Sequence, residues 1–275
     1  MTTKKIIRRI AKIITLPIIN SEKRKEKRQK VENFIHKFLN TEQYRCEQVF
    51  NRYYGENKKL NDGSYHLISL GENCFGRMTF SYWGLKPRKA DGEKTMPFDI
   101  SIHPLKTVNS LLETKFKSYF DDIEYDKEKQ YWVNPQKNIL FVHDLENDRK
   151  LFEERYRQRI QNLYEVIEDN KPCLFFCYRD GEVDASDINK LYEILNKLCA
   201  HKAFKLVYMV FNAPLPEGIN KEIATYQQNY PKGYRHMDKF TKYTSDGLSF
   251  EQGVAEFTKK QIQNLLLKQN KKASD

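Results

Sequence analysis

Hydrophobic positions in this chain fall into short apolar runs separated by stretches with helical spacing. Strand-like runs occupy residues 65–70, 139–142, 173–178 and 204–211, with a shorter one at 96–98. Between them, apolar residues recur at three- and four-residue intervals over 75–82, 105–116, 149–168 and 185–199. A last helical pattern over 249–267 turns Phe250, Val254, Phe257 and Leu265 inward, with Ile262 at the edge of the stripe. Strands apolar on both faces and separated by helices predict a mostly parallel sheet covered on two sides, a three-layer α/β fold. Upstream, Val31, Phe34, Ile35 and Phe38 begin a helical preface over 31–62. A second piece with Tyr44, Val49 and Phe50 continues it, and the turn Asn61-Asp62-Gly63 closes it. The length suits a single domain over 31–275, preceded by a basic helical arm of residues 1–30.

The arm changes the meaning of the net charge of +11. Residues 1–30 hold eleven Lys or Arg against two Glu, so the rest of the chain is close to neutral at +2. So neutral a body offers no groove for a phosphate backbone, and no DNA or RNA recognition motif is present. Nucleic acid is therefore not an expected partner. Within the arm, Ile6, Ile10, Ile13 and Ile14 recur at helical spacing while Lys5, Arg8, Arg9 and Lys12 occupy another face, until Pro17 interrupts the pattern. Such a helix, followed by a second basic run over 23–30, suits an anionic membrane surface. A frayed terminus, or a helix packed on the body, is the plainer alternative. The apolar run 13–19 is short for a signal peptide, is broken by Pro17 and leads to no small-residue cleavage site. No stretch of about 20 apolar residues occurs. The expectation is a cytoplasmic protein, peripheral on the inner membrane face.

Five cysteines, at 46, 74, 173, 177 and 199, form no dense framework and fit a reducing compartment. Cys173 and Cys177 share one face of a strand and read as core. No Cys/His spacing suits zinc, and neither a Gly-rich dinucleotide fingerprint nor a P-loop is present. No metal and no cofactor are expected.

The chemistry concentrates at Cys74, which follows a strand that breaks at Gly71 and precedes a helix. A thiol at such a turn has the first N–H groups of the helix aimed at its sulfur. That setting is expected to lower its pKa from about 8.5 and to hold an oxyanion beside it. Asn73 reads as the helix cap. The plainer reading is a buried cysteine that only packs.

Four motifs occur in the order found in a bacterial family of papain-like cysteine peptidases, otherwise functionally uncharacterised. They are the run from Ser69 to Cys74, then Pro97-Phe98-Asp99, then Leu140-Phe141-Val142-His143-Asp144, then Arg155-Tyr156-Arg157-Gln158-Arg159. The chain resembles that family over about residues 65–200. It departs from the pattern at Ile100, where the family usually has Trp. The resemblance implies cysteine chemistry and, by the family's name, peptide cleavage.

A nucleophilic thiol needs a base, and the base needs an orienting group. His143, at a strand end and on the family's motif, is the expected base, with Asp99 as its carboxylate; Asp144 suits less well because strand neighbours point to opposite faces. His236, in Gly233-Tyr234-Arg235-His236-Met237-Asp238, is the rival base, by analogy with the late catalytic His of hydrolases built on a flavodoxin-like sheet. Arg77, Arg155 and Arg159, with Asn73, are candidates for holding an anionic group of the substrate, although Arg on a polar helix face is ordinarily solvated. His66 and His103 read as strand and loop residues without partners, and His36 and His201 as exposed helix positions. The reading that follows is a cysteine-dependent acyl-transfer enzyme of the peptidase or hydrolase type, acting on a peptide or a glycan-linked acyl group. The alternatives are an acyltransferase or esterase working on surface-polysaccharide precursors, or a non-catalytic membrane-associated binding protein.

Overall fold

The computed structural model describes residues 3–16, 18, 20–181, 184–236 and 243–274. In chain order the elements are α1 (Thr3–Ile14), α2 (Ser21–Phe38), α3 (Glu42–Leu60), β1 (His66–Ser69), α4 (Phe75–Tyr82), α5 (Leu105–Glu113), β2 (Glu124–Asp126), β3 (Tyr131–Asn134) and β4 (Ile139–Phe141). They continue with α6 (Arg149–Glu168), β5 (Cys173–Asp180), α7 (Ala185–Leu198), β6 (Phe204–Phe211), β7 (Ala224–Gln228) and α8 (Ser245–Ser274).

Four strands form a parallel sheet in the order β1-β5-β6-β7, with Ser69 opposite Phe176 and Cys177 opposite Tyr208. Because strand side chains alternate, β5 sends Cys173, Phe175 and Cys177 to one face and Leu174, Phe176 and Tyr178 to the other. The first set packs with Val108 of α5, Phe152 of α6 and Leu191 of α7. The second packs with Phe50 of α3, Phe80 of α4 and Phe250 of α8. The fold is thus the expected α/β sandwich of helix, parallel sheet and helix, with a helical arm before it. Cys173 and Cys177 are core residues, and burial pushes the Cys173 thiol up to about 11.

Some elements differ from the sequence reading. The 139–142 run forms β4, but it pairs antiparallel with β3 in a separate sheet of order β2-β3-β4. Residues 96–98 make no strand. There the Asp99 carboxylate accepts from the Met96 N–H at 2.7 Å and the Ser101 hydroxyl donates to the Pro97 carbonyl at 2.8 Å, side-chain bonds that hold a turn. Ile262 is fully buried, at the centre of the α8 stripe and not its edge. α2 runs unbroken through residue 30, and its N-cap Asn20 accepts from the N–H groups of Glu22 and Lys23. Pro17 lies outside the described residues. No described helix is long and apolar enough to cross a membrane.

Three histidines read as unpartnered or exposed are in fact engaged. His66 pairs with Asp169 at 2.5 Å, and His36 is buried, bonded to the Thr41 hydroxyl at 2.9 Å. His103 is fully buried between the Ser101 and Tyr119 hydroxyls, each 3.1 Å from a ring nitrogen. These pairings run across the fold or around a turn, where helical and strand periodicity carries no information.

Candidate active site

The site lies beyond the carboxyl ends of the parallel strands, where open α/β sheets bind ligands. Its sharpest feature is the elbow from β1 into α4. Gly71 has φ +89°, and a Cβ there would stand 2.9 Å from the His103 carbonyl oxygen and 3.0 Å from Val108 Cγ2. Both the backbone angle and the space therefore require glycine. Glu72 follows at φ +63°, a conformation that costs a side-chain-bearing residue about 1 kcal/mol or more. An ion pair to Arg179 at 2.6 Å holds it there, although burial pushes the Glu72 carboxyl up against that pull. Asn73 turns its side-chain oxygen onto the Phe75 N–H at 2.8 Å, and Cys74 itself is the N-cap residue of α4.

Close packing fixes how near the elbow sits to the sheet. Gly76 lies so tightly on β1 and β5 that a Cβ would be 2.6 Å from ring carbons of Phe176 and 2.9 Å from the Ser69 hydroxyl. Cys74, two residues earlier, is thereby held against the strand ends and is 8% exposed.

The imidazole that meets this thiol belongs to His236. Its Nε2 stands 3.8 Å from Cys74 Sγ, within hydrogen-bond reach for sulfur, and its ring packs edge-to-face on Phe75 at 5.6 Å. Among the described residues, the segment carrying it is fastened at Tyr230 and at Tyr234. The Tyr230 N–H donates to the Asn212 side chain at 2.9 Å, and Asn212 in turn donates to Asp180 at 2.8 Å, tying the segment to the ends of β5 and β6. The Tyr234 hydroxyl donates to the buried Glu251 of α8, whose other oxygen accepts from the Trp83 indole N–H at 3.0 Å. Met237 and Asp238 lie outside the described residues.

Electrostatically, Cys74 departs from expectation. Burial raises its pKa above the ordinary thiol range. Its own N–H and the Arg77 guanidinium pull the other way without cancelling that effect. One of the helix N–H groups expected at the sulfur, that of Phe75, is taken by Asn73. The adjacent imidazole stands where it can accept the thiol's proton when the sulfur attacks.

Of the remaining candidates, Arg77 and Asp99 lie close behind Cys74, engaged with other partners, and the rest lie on other elements. His143 is exposed on the turn after β4, in the antiparallel sheet, so the strand end that recommended it belongs to a different layer. Asp99 is fully buried, 3.5 Å from Arg77 Nε and 4.0 Å from Lys86 Nζ, and burial pushes its carboxyl up. Arg77 bonds Glu93 at 2.8 Å, which in turn pairs with Lys86 at 2.9 Å. This four-charge cluster braces α4 against the 86–99 segment. Arg155 bonds Asp144 at 2.5 Å and Glu146 at 2.9 Å, while Arg159 reaches Asp144 at 3.2 Å. Both arginines fasten α6 to the turn after β4 and leave Asp144 enclosed by partners that include the Tyr156 hydroxyl at 3.0 Å. Glu72 and Tyr234 are the residues that the sequence reading overlooked. A Glu between Gly71 and Asn73 carried a local hint of a strained turn; Tyr234 carried none. Among the described residues no cluster of His, Cys, Asp and Glu suits a metal ion.

No family model, curated protein or solved structure matches the chain in three separate comparisons.

Proposed function

We propose that this protein is a cysteine-dependent acyl-transfer enzyme of the hydrolase type, with Cys74 as nucleophile and His236 as base. One observation carries the reading: a thiol on a strained strand-to-helix elbow lies 3.8 Å from an imidazole at the carboxyl edge of a parallel sheet. The resemblance to papain-like cysteine peptidases over about residues 65–200 supports Cys74 as the nucleophile; His236 lies outside it and rests on the geometry alone.

The steps follow from the geometry. Cys74 Sγ attacks an acyl carbonyl carbon, forming the S–C bond as its proton passes to His236 Nε2. The oxyanion that develops beside Cys74 falls at the positive, N-terminal end of α4, which favours negative charge there. Collapse breaks the bond to the leaving group, which takes the proton from His236. Water then attacks the thioester, giving its proton to the same imidazole, and collapse releases the acid and restores the thiol. A peptide amide and a glycan-linked acyl ester both present the carbonyl this sequence needs.

The test is labelling of the intact protein by a thiol-directed acyl probe, read by peptide mass. Cys74→Ala is expected to abolish labelling at this site with the fold unchanged. His236→Gln is expected to slow it by about a hundredfold or more, the usual scale for removing a general base, while His143→Gln leaves it as it was. Full labelling rates in His236→Gln, or a loss confined to His143→Gln, would refute the assignment.

A further inference from the structure

The first two helices carry apolar surface and charge that the Cys74 site does not use. Among the described residues, eight of the eleven exposed large hydrophobic side chains lie between Ile6 and Leu39. α1 buries Ile7 and Ala11 and leaves Ile13 65% exposed. On α2, Phe34 and Phe38 stack on each other at 6.4 Å while 69% and 79% exposed. The two apolar rows meet across an open groove of about 620 Å³, in which Ile10 and Ile14 of α1 face Val31, Phe34 and Phe38 of α2, with Lys30 at the rim. A contiguous apolar surface of this kind on one protein ordinarily marks an interaction site.

Charge selects the partner. The same stretch of chain holds a net +9 within residues 1–30, against +2 for everything else. A second copy docking through this face would bring two such concentrations of positive charge together. A nucleic acid would satisfy the cations and leave the Ile and Phe side chains in water. An anionic bilayer accommodates both, with acyl chains for the apolar rows and headgroups for the cations.

We propose that α1 and the C-terminal half of α2 form a single docking surface for an anionic lipid bilayer, lying in the interface without crossing it. The surface extends to Leu39, so the membrane-facing unit is a helix pair and not the first helix alone. The proposal is independent of the chemistry at Cys74.

The test uses the full chain and vesicles of phosphatidylcholine, alone or with phosphatidylglycerol added. Sedimentation with the anionic vesicles and not the neutral ones is expected. Lys5→Gln with Lys12→Gln should weaken binding by about 25-fold, since each cation beside an anionic leaflet is worth about fivefold. Phe34→Ser with Phe38→Ser should weaken it by at least about tenfold. Phe38→Trp supplies a direct reading: its emission should shift to the blue on adding anionic vesicles, against the constant background of the buried Trp83 and Trp132. Circular dichroism confirms that each variant is folded. Failure of the parent chain to bind, or binding unchanged in both double variants, would overturn the proposal. So would a Phe38→Trp shift that needs no lipid and grows with protein concentration, which would identify a second copy as the occupant.

Discussion

Replacing Gly76 by alanine sets two effects of opposite sign against each other. In an exposed helix interior the change would stabilise by about 1 kcal/mol through backbone entropy. Here the new Cβ stands 2.6 Å from two Phe176 ring carbons and 2.9 Å from the Ser69 hydroxyl. Ordinary carbon contacts begin near 3.5 Å, so α4 must retreat from the sheet by about 1 Å. Overpacking of this kind costs about 1–3 kcal/mol, which leaves a net loss of roughly 0–2 kcal/mol after the propensity gain. The functional consequence is larger than the energetic one. Cys74 is carried on the N-terminus of α4, so the retreat displaces Sγ from its place at the strand ends, and a misplacement of about 1 Å costs about a hundredfold in rate. Gly55→Ala on α3 is the matched control, because its Cβ would meet nothing within 4 Å. The assays are urea unfolding and the rate of acyl-probe labelling at Cys74. Gly55→Ala should gain stability and label normally; Gly76→Ala should lose stability and label about a hundredfold more slowly. A Gly76→Ala protein that is both more stable and fully reactive would refute the argument that this close approach sets the thiol.

Two further outcomes are expected. His103 is buried neutral, its pKa lowered to about 3 by desolvation, whereas the unfolded chain protonates it near 6.5. Below about 6.5 the unfolded state therefore binds the extra proton, and stability falls by up to about 1.4 kcal/mol per pH unit until about pH 3; His103→Gln should flatten that slope in urea titrations between about pH 6 and about pH 4. Glu251→Gln keeps the donor-only Trp83 indole on its remaining oxygen and turns its N–H₂ onto the Tyr234 hydroxyl, which must then accept instead of donating, so a charge-assisted bond becomes a neutral one. It should cost about 1–3 kcal/mol and slow labelling at Cys74, with Trp83 emission reporting the change. An unaltered labelling rate would show that Tyr234 does not position the imidazole.

Much of the architecture was legible because long periodic segments leave little choice. The spacing over 75–82 and 149–168 matches α4 and α6 to the residue, and the apolar runs of β5 and β6 announce buried parallel strands. Short polar strands such as β2 and β7 carry no such signal. Nor does an apolar triplet disclose its partner: the 139–142 run reads like another parallel strand and carries His143 with it, although β4 pairs in the antiparallel sheet. At the site, Gly71 and Asn73 marked the elbow, since a turn of that kind has local chemical requirements. The choice of imidazole depended on how a segment 162 residues away folds back onto α4. The arginines of α6 show the same limit from the other side. Their spacing exposed a basic face, but nothing local to that helix indicated that Asp144 would neutralise it.

The carboxylate of Glu42, three residues beyond Leu39, accepts from both the N–H and the hydroxyl of Ser245 at 2.8 Å. That clasp joins the start of α3 to the start of α8, the helix whose Glu251 holds the Tyr234 hydroxyl. A tilt of α3 therefore tugs on the helix that anchors Tyr234, two residues before the imidazole.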